Sequence, residues 1–126
     1  MAVPSPDERR EFPRFAPDPL VPVLFADAHS EEMTAGLIHD VSLGGVRIVA
    51  PPTAKAHLHW AAPLLIQVSY SESTRAAQIE GLRLRAWVVR LVIDSGGFAL
   101  QARFGMDGHD GHWRAFHRWV GTLGGR

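Results

Sequence analysis

The chain has no cysteine, which removes disulfide frameworks, thiolate metal sites and thiol nucleophiles together. It has no excess of charge either. Thirteen Lys and Arg balance thirteen Asp and Glu, so the positive field expected of a general nucleic-acid binder is missing. Lysine is nearly absent: Lys55 is the only one. The positive charge therefore sits on guanidinium groups, whose planar fork suits two-pronged recognition of a phosphate or a base edge. No apolar run approaches membrane-spanning length, and Met1 to Glu8 has no basic region followed by an apolar stretch. Neither membrane insertion nor a secretory leader is expected, and the compartment expected is the cytoplasm. With 126 residues, a single domain can bury about two thirds of its unfolded surface in one core.

Against these absences one stretch stands out, His39-Asp40-Val41-Ser42-Leu43-Gly44-Gly45-Val46-Arg47-Ile48. Gly44 and Gly45 offer positive φ and leave no side chain in the way, so the backbone can reverse and a ligand can come close. Asp40 and Ser42 are two apart. On an extended backbone they project to one face, with Val41 on the other. A carboxylate acceptor and a hydroxyl then point the same way. The plainer alternative is a turn whose Asp and Ser satisfy local backbone donors.

Upstream, Arg9-Arg10-Glu11-Phe12-Pro13-Arg14-Phe15 packs three guanidiniums and two aromatics into seven residues. Pro13, Pro17, Pro19 and Pro22 forbid a long helix, so residues 9–16 are expected to form an arm lying across the domain, preceded by a mobile tail over 1–8. The alternative is a solvated basic arm, or one with Phe12 or Phe15 tucked into the core.

Strand patterns follow. Val21, Val23 and Phe25 alternate with Pro22 and Leu24, and the proline suggests a sheet edge or a strand start. Asp27 to Ser30 turns the chain, Met33 to Asp40 gives a second strand and Val46 to Val49 a third, stopped by Pro51 and Pro52. Thr53 to Pro63 has no clear period. Leu64, Ile66, Val68 and Tyr70 share one face of a fourth strand, and the polar run Ser71 to Arg75 turns the chain. From Ile79 to Val92 one long, bent strand places Leu82, Leu84, Ala86 and Val88 on one side and Arg83, Arg85 and Trp87 on the other. Asp94-Ser95-Gly96-Gly97 is a hairpin signal leading into a last strand, Phe98 to Phe104. Trp113, Phe116, Val120 and Leu123 then recur at helical spacing, with Asp110 a fitting N-cap. The expected fold is all-β dominated: a six-stranded antiparallel barrel over 20–105 with a C-terminal helix over 110–123, in one domain spanning 9–124.

Two motifs carry a resemblance. Arg10-Glu11-Phe12-Pro13-Arg14 fits R-x-x-x-R, Asp40-Val41-Ser42-Leu43-Gly44-Gly45 fits D/N-x-S-x-x-G, and one strand hairpin separates them. In order, spacing and surrounding fold, the chain resembles PilZ domains, bacterial receptor modules for cyclic di-GMP, from about Glu8 to Val120. It departs from the family in the last strand, where Gln101-Ala102-Arg103-Phe104 stands in place of the frequent Gly-x-x-Phe. The resemblance implies that Arg10 and Arg14 bind the dinucleotide from the arm and that Asp40, Ser42, Gly44 and Gly45 meet it from the barrel. Arg9, just before the motif, resembles family members that take up a stacked pair of ligand molecules. A guanidinium matches guanine O6 and N7, stacks on a purine or pairs with phosphate, and a carboxylate accepts from guanine N1 and N2. The resemblance further implies a receptor that orders its arm on binding and signals by contact with a downstream protein. It implies no catalysis and no cofactor beyond the ligand, in a monomer or homodimer.

Other readings compete. Catalysis would pair Ser42 with His39 and Asp40, yet these two face opposite ways on a regular strand and no nucleophile-elbow signature surrounds Ser42. His57 and His59, or His109, His112 and His117, suggest a metal, but no carboxylate or third histidine is placed beside the His57–His59 pair by sequence, so solvated or helix-end histidines and no metal are expected. Arg83, Arg85 and Trp87 on a small barrel could bind single-stranded nucleic acid, against which the zero net charge counts. Trp87 also suits packing between barrel and helix. Finally, a PilZ-like adaptor that no longer responds to nucleotide could hold a partner through a helix face flanked by Trp119.

Overall fold

Period-two burial organises the sheet. The computed structural model describes residues 13–59, 62–94, 97–104 and 111–124, and in it Val21, Val23 and Phe25 of β1 (Val21–Asp27) are buried in the core. In β2 (Thr34–Val41) the buried residues are Ile38 and Val41, three apart, and the regular alternation returns with Val46 and Ile48 of β3 (Gly45–Ala50) and with Leu64, Ile66 and Val68 of β4 (Pro63–Val68). In β5 (Arg83–Asp94) the buried residues are Leu84 and Ala86; in β6 (Gly97–Phe104) they include Phe98, Leu100, Ala102 and Phe104. Every ladder is antiparallel, and the strands close in the order β1-β2-β3-β6-β5-β4. Closure gives each strand a neighbour on both sides along part of its length, the physical answer to exposed sheet edges. Pro22 is thus not on an edge. It sits at the second residue of β1, before the β4 ladder begins at Val23, where a missing N–H costs little.

The fourth strand is shorter than its pattern. Tyr70 does not share the inward face of Leu64, Ile66 and Val68; it is 70% exposed, and β4 stops at Val68. A capping box explains the break. Ser71 Oγ accepts from the Thr74 N–H, and Thr74 Oγ1 accepts from the Ser71 N–H, which starts a short helix, α1 (Glu72–Ala76), where only a polar turn was expected. Thr53 to Pro63 likewise contains a 3₁₀ helix, Pro52–His57.

The C-terminal helix, α2 (Gly111–Gly124), joins the core through Phe116, Trp119 and Val120. The Phe104 ring meets Trp113 at 4.9 Å and Phe116 at 5.6 Å, edge to face, so the last residue of β6 anchors the helix. The Arg83 N–H donates to His112 Nδ1 at 3.1 Å, tying the start of α2 to the start of β5. Trp119, read as flanking the apolar stripe and available to a partner, is instead buried. Trp87 is not the barrel-to-helix packing residue: it stands on the outer face of β5, 47% exposed. The expected cap Asp110, the tail and Arg9 and Arg10 lie outside the described residues.

Candidate functional site

Asp40 owes its position to a bulge. In the β2–β3 ladder Ile38 faces Ile48, but the next pair is Asp40 with Arg47, so His39 is an extra residue. A bulge of this kind bends the strand and re-aims its side chains. His39 and Asp40 therefore do not face opposite ways, as a regular strand would require: His39 Nδ1 lies 3.7 Å from Asp40 Oδ2. Arg47 joins them, its NH1 3.9 Å from Asp40 Oδ2 and 3.4 Å from His39 Nδ1. Beyond Asp40 the alternation resumes and Val41 points into the core.

The arm reaches this corner through backbone pairing. The Phe15 N–H donates to the Val41 carbonyl at 2.8 Å and the Val41 N–H to the Phe15 carbonyl at 2.9 Å, an isolated antiparallel bridge. Phe15 packs against the core, the tucked aromatic envisaged for the arm. With Phe15 pinned, the preceding side chain falls beside Asp40, and Arg14 NH1 donates to Asp40 Oδ1 at 3.2 Å. Both side chains keep solvent contact, 30% for Arg14 and 21% for Asp40. An ion pair this open contributes about 0–1 kcal/mol, so its members can exchange partners at little cost.

Ser42 behaves differently. Its hydroxyl accepts from the Gly44 N–H at 3.1 Å and the Gly45 N–H at 3.2 Å, while its own N–H donates to the Gly45 carbonyl at 2.9 Å. The local-turn reading is thus right for Ser42 and not for Asp40. With both lone pairs of the hydroxyl oxygen engaged, its hydrogen remains as the donor. Nor does Ser42 pair with His39, whose ring meets Asp40 and Arg47.

Glycine is required at 45 by proximity rather than by a left-handed backbone. A Cβ there would stand 2.3 Å from the Ala102 carbonyl oxygen across the β3–β6 ladder, and the glycines at positive φ among the described residues are Gly81 and Gly97. From Gly45 the outer row runs to Arg103 on β6 and Trp87 on β5. Two inter-strand spacings make that row roughly 10 Å. On the other side of the corner, Arg47 borders an open, mostly apolar hollow of about 800 Å³ lined also by Pro22, Leu37, Val49, Pro51 and Ala99.

Of the residues read as a site, then, Arg14, Asp40, Ser42, Gly44 and Gly45 are gathered at one corner. Arg47 was missed, although a hairpin register alone would have set it opposite Asp40. A second polar corner was missed as well. Asp27, only 2% exposed, accepts from the His29 N–H at 2.9 Å and meets His59 Nδ1 at 2.7 Å. Burial pushes its carboxyl up, but the hydrogen bonds from His29 and His59 outweigh this and hold it below the ordinary aspartate value of 3.8. His59 is therefore not simply solvated, and no group of three ligating side chains occurs among the described residues. No helix among them is long and apolar enough to cross a membrane.

The geometry can be set beside known proteins. The family model of the PilZ domain matches residues 8–121. Among solved structures, the chain is similar to the PilZ domain with c-di-GMP of YcgR from Escherichia coli, at 20% identity over 92% of each chain with a TM-score of 0.65. It is similar to the PilZ domain of CeSA from a cellulose synthesizing bacterium, at 21% identity over 90% of this chain and 96% of that one, TM-score 0.56. It also resembles the K. pneumonia MrkH–c-di-GMP complex, at 14% identity over 91% of this chain and 52% of that one, TM-score 0.66. Curated proteins give no match. The barrel, its terminal helix and a family match over nearly the whole length converge on one statement: this chain belongs to the PilZ domain family.

Proposed function

We propose that the chain is a receptor for cyclic di-GMP, which it takes up between the arginine arm and the loop joining β2 to β3. The observation that carries this reading is the Arg14–Asp40 ion pair at 3.2 Å, because it joins two motifs that lie 26 residues apart. The likeness to a YcgR domain solved with c-di-GMP supports it.

Binding is an exchange of partners. The Asp40 carboxylate releases Arg14 and accepts the N1 and N2 hydrogens of a guanine. The freed Arg14, with Arg10 and Arg9, takes guanine O6 and N7 or a phosphate. The Ser42 hydroxyl donates its remaining proton to the ligand, and Gly44 and Gly45 keep the approach open. A doubly anionic ligand removes the repulsion among the arm's guanidiniums, so residues 8–14 settle against the barrel while Phe15 remains their hinge. The re-docked arm is the surface a downstream protein reads. The role is reception, not catalysis.

Calorimetric titration with cyclic di-GMP tests the site. Wild type binds, and Arg14→Ala binds about 10- to 100-fold more weakly, the loss expected of a two-pronged contact; equal affinities reject the assignment. The stoichiometry shows whether Arg9 accompanies a stacked pair. Hydrogen exchange over residues 8–14 slows on adding ligand if the arm is the responding element, and unchanged exchange refutes that step.

A further inference from the structure

Closure of the barrel is incomplete along β5. Its ladder with β4 runs from Arg83 to Trp87, whereas its ladder with β6 continues to Asp94. From Val88 to Asp94 one edge therefore has no strand partner among the described residues. Apart from positions 90, an arginine, and 94, an aspartate, that segment is apolar on both faces. Leu91 and Ile93 stand opposite Leu100 and Phe98 of β6, on the barrel-facing side, and Val89 and Val92 are also exposed, Val89 to 61% and Ile93 to 54%. A run of unpaired backbone groups flanked by β-branched side chains is a template for another strand. The bulge between Val88 and Arg90 interrupts the run, which leaves residues 90–94 as its regular portion.

We infer that this edge pairs with the same edge of a second copy of the chain, β5 against β5, antiparallel about a two-fold axis through Val92. The occupant follows from self-complementarity. In that register Val92 meets Val92, Leu91 meets Ile93 on the same face, and position 90, an arginine, stands across from position 94, an aspartate. A register centred one residue earlier sets Arg90 opposite Val92 and brings the bulged Val89 into the ladder, which loses both the charge match and the regular spacing. The chain's formal charge of zero adds no repulsion between copies. Five residues a side is a small interface, so the pair is weak and concentration-dependent. This inference stands apart from ligand reception, since it uses none of the same residues.

Sedimentation equilibrium of the full chain tests it. The apparent mass climbs from 13.9 kDa toward twice that value as concentration rises, and Val92→Lys, which sets two ammonium groups face to face, abolishes the climb while the melting transition stays cooperative. Because the chain has no cysteine, Val92→Cys gives a second reading. It forms a disulfide-linked pair on mild oxidation, while a cysteine at the exposed helix position, Arg118→Cys, does not. Arg90→Asp weakens the pair and the double change Arg90→Asp with Asp94→Arg restores it. A chain that stays monomeric up to about 1 mM, a concentration at which even weak specific contacts form, overturns the inference. So does a dimer that Val92→Lys leaves intact.

Discussion

Asp27 and Asp40 are both aspartates at the ends of barrel strands, and both collect cations and N–H donors, yet their surroundings set them to opposite tasks. Asp27 closes β1 from a buried position, its two oxygens taken by the His29 N–H and the His59 ring. Asp40 stands on a bulge near the end of β2, open to solvent and shared by Arg14, Arg47 and His39. Removing a partner from a buried carboxylate leaves its charge uncompensated, whereas opening a half-exposed ion pair lets water replace it. The first arrangement is built to stay and fixes the β1–β2 turn to the segment before β4. The second keeps solvent contact, so its ion pairs can open without unfolding anything.

That contrast can be broken by experiment. The largest effect is expected at the buried corner: Asp27→Ala strands the His29 N–H and removes the His59 contact, lowering stability by about 2–4 kcal/mol in urea titration while affinity for cyclic di-GMP stays within threefold. Arg14→Ala reverses the pattern, weakening binding by about 1–3 kcal/mol and changing stability by less than about 1 kcal/mol. If Arg14→Ala unfolds the protein as readily as Asp27→Ala, the two corners are not different in kind. Ser42→Ala falls between them, at about 1 kcal/mol of stability, because two loop N–H groups lose their acceptor; a variant with wild-type stability would mean that water replaces the hydroxyl.

The smallest effect is a matter of acid. Asp27 has its carboxyl held below 3.8. A group depressed in the folded state contributes stability that is present above its unfolded value and is lost as the pH falls through its folded value. Wild type therefore loses stability on acidification below pH 3.8 faster than Asp27→Asn does, as measured by the urea midpoint. Parallel acid limbs would show that Asp27 is not held low.

How far the chain could be read without coordinates depends on the range of the interaction. The strands and α2 follow from periods of two and of 3.6, which are local, and all the elements so named are found within a few residues of their expected ends. The fifth strand was begun too early, at Ile79 rather than Arg83, and the fourth was extended too far, to Tyr70, because a capping box at Ser71 competes with it. α1 was missed for the same reason: at five residues it shows no period. At the candidate site, Arg14, Asp40, Ser42, Gly44 and Gly45 were legible as motif residues. The opposed orientation of His39 and Asp40 was misread, since a bulge shifts every later side chain and leaves no mark in local composition.

The sequence by itself determined the barrel's strand pattern, the amphipathic helix and the presence of a cationic arm and an acid-hydroxyl-glycine corner, because backbone preference and hydrophobic alternation act between near neighbours. Tertiary structure alone decided that Phe15 pairs with Val41 and so delivers Arg14 to Asp40, that Arg47 shares that carboxylate, that Asp27 finds His59 across 32 residues, and that β5 outruns β4. Each of these is a contact between segments brought together by barrel closure, and strand register and tilt, not local spacing, set which side chains meet.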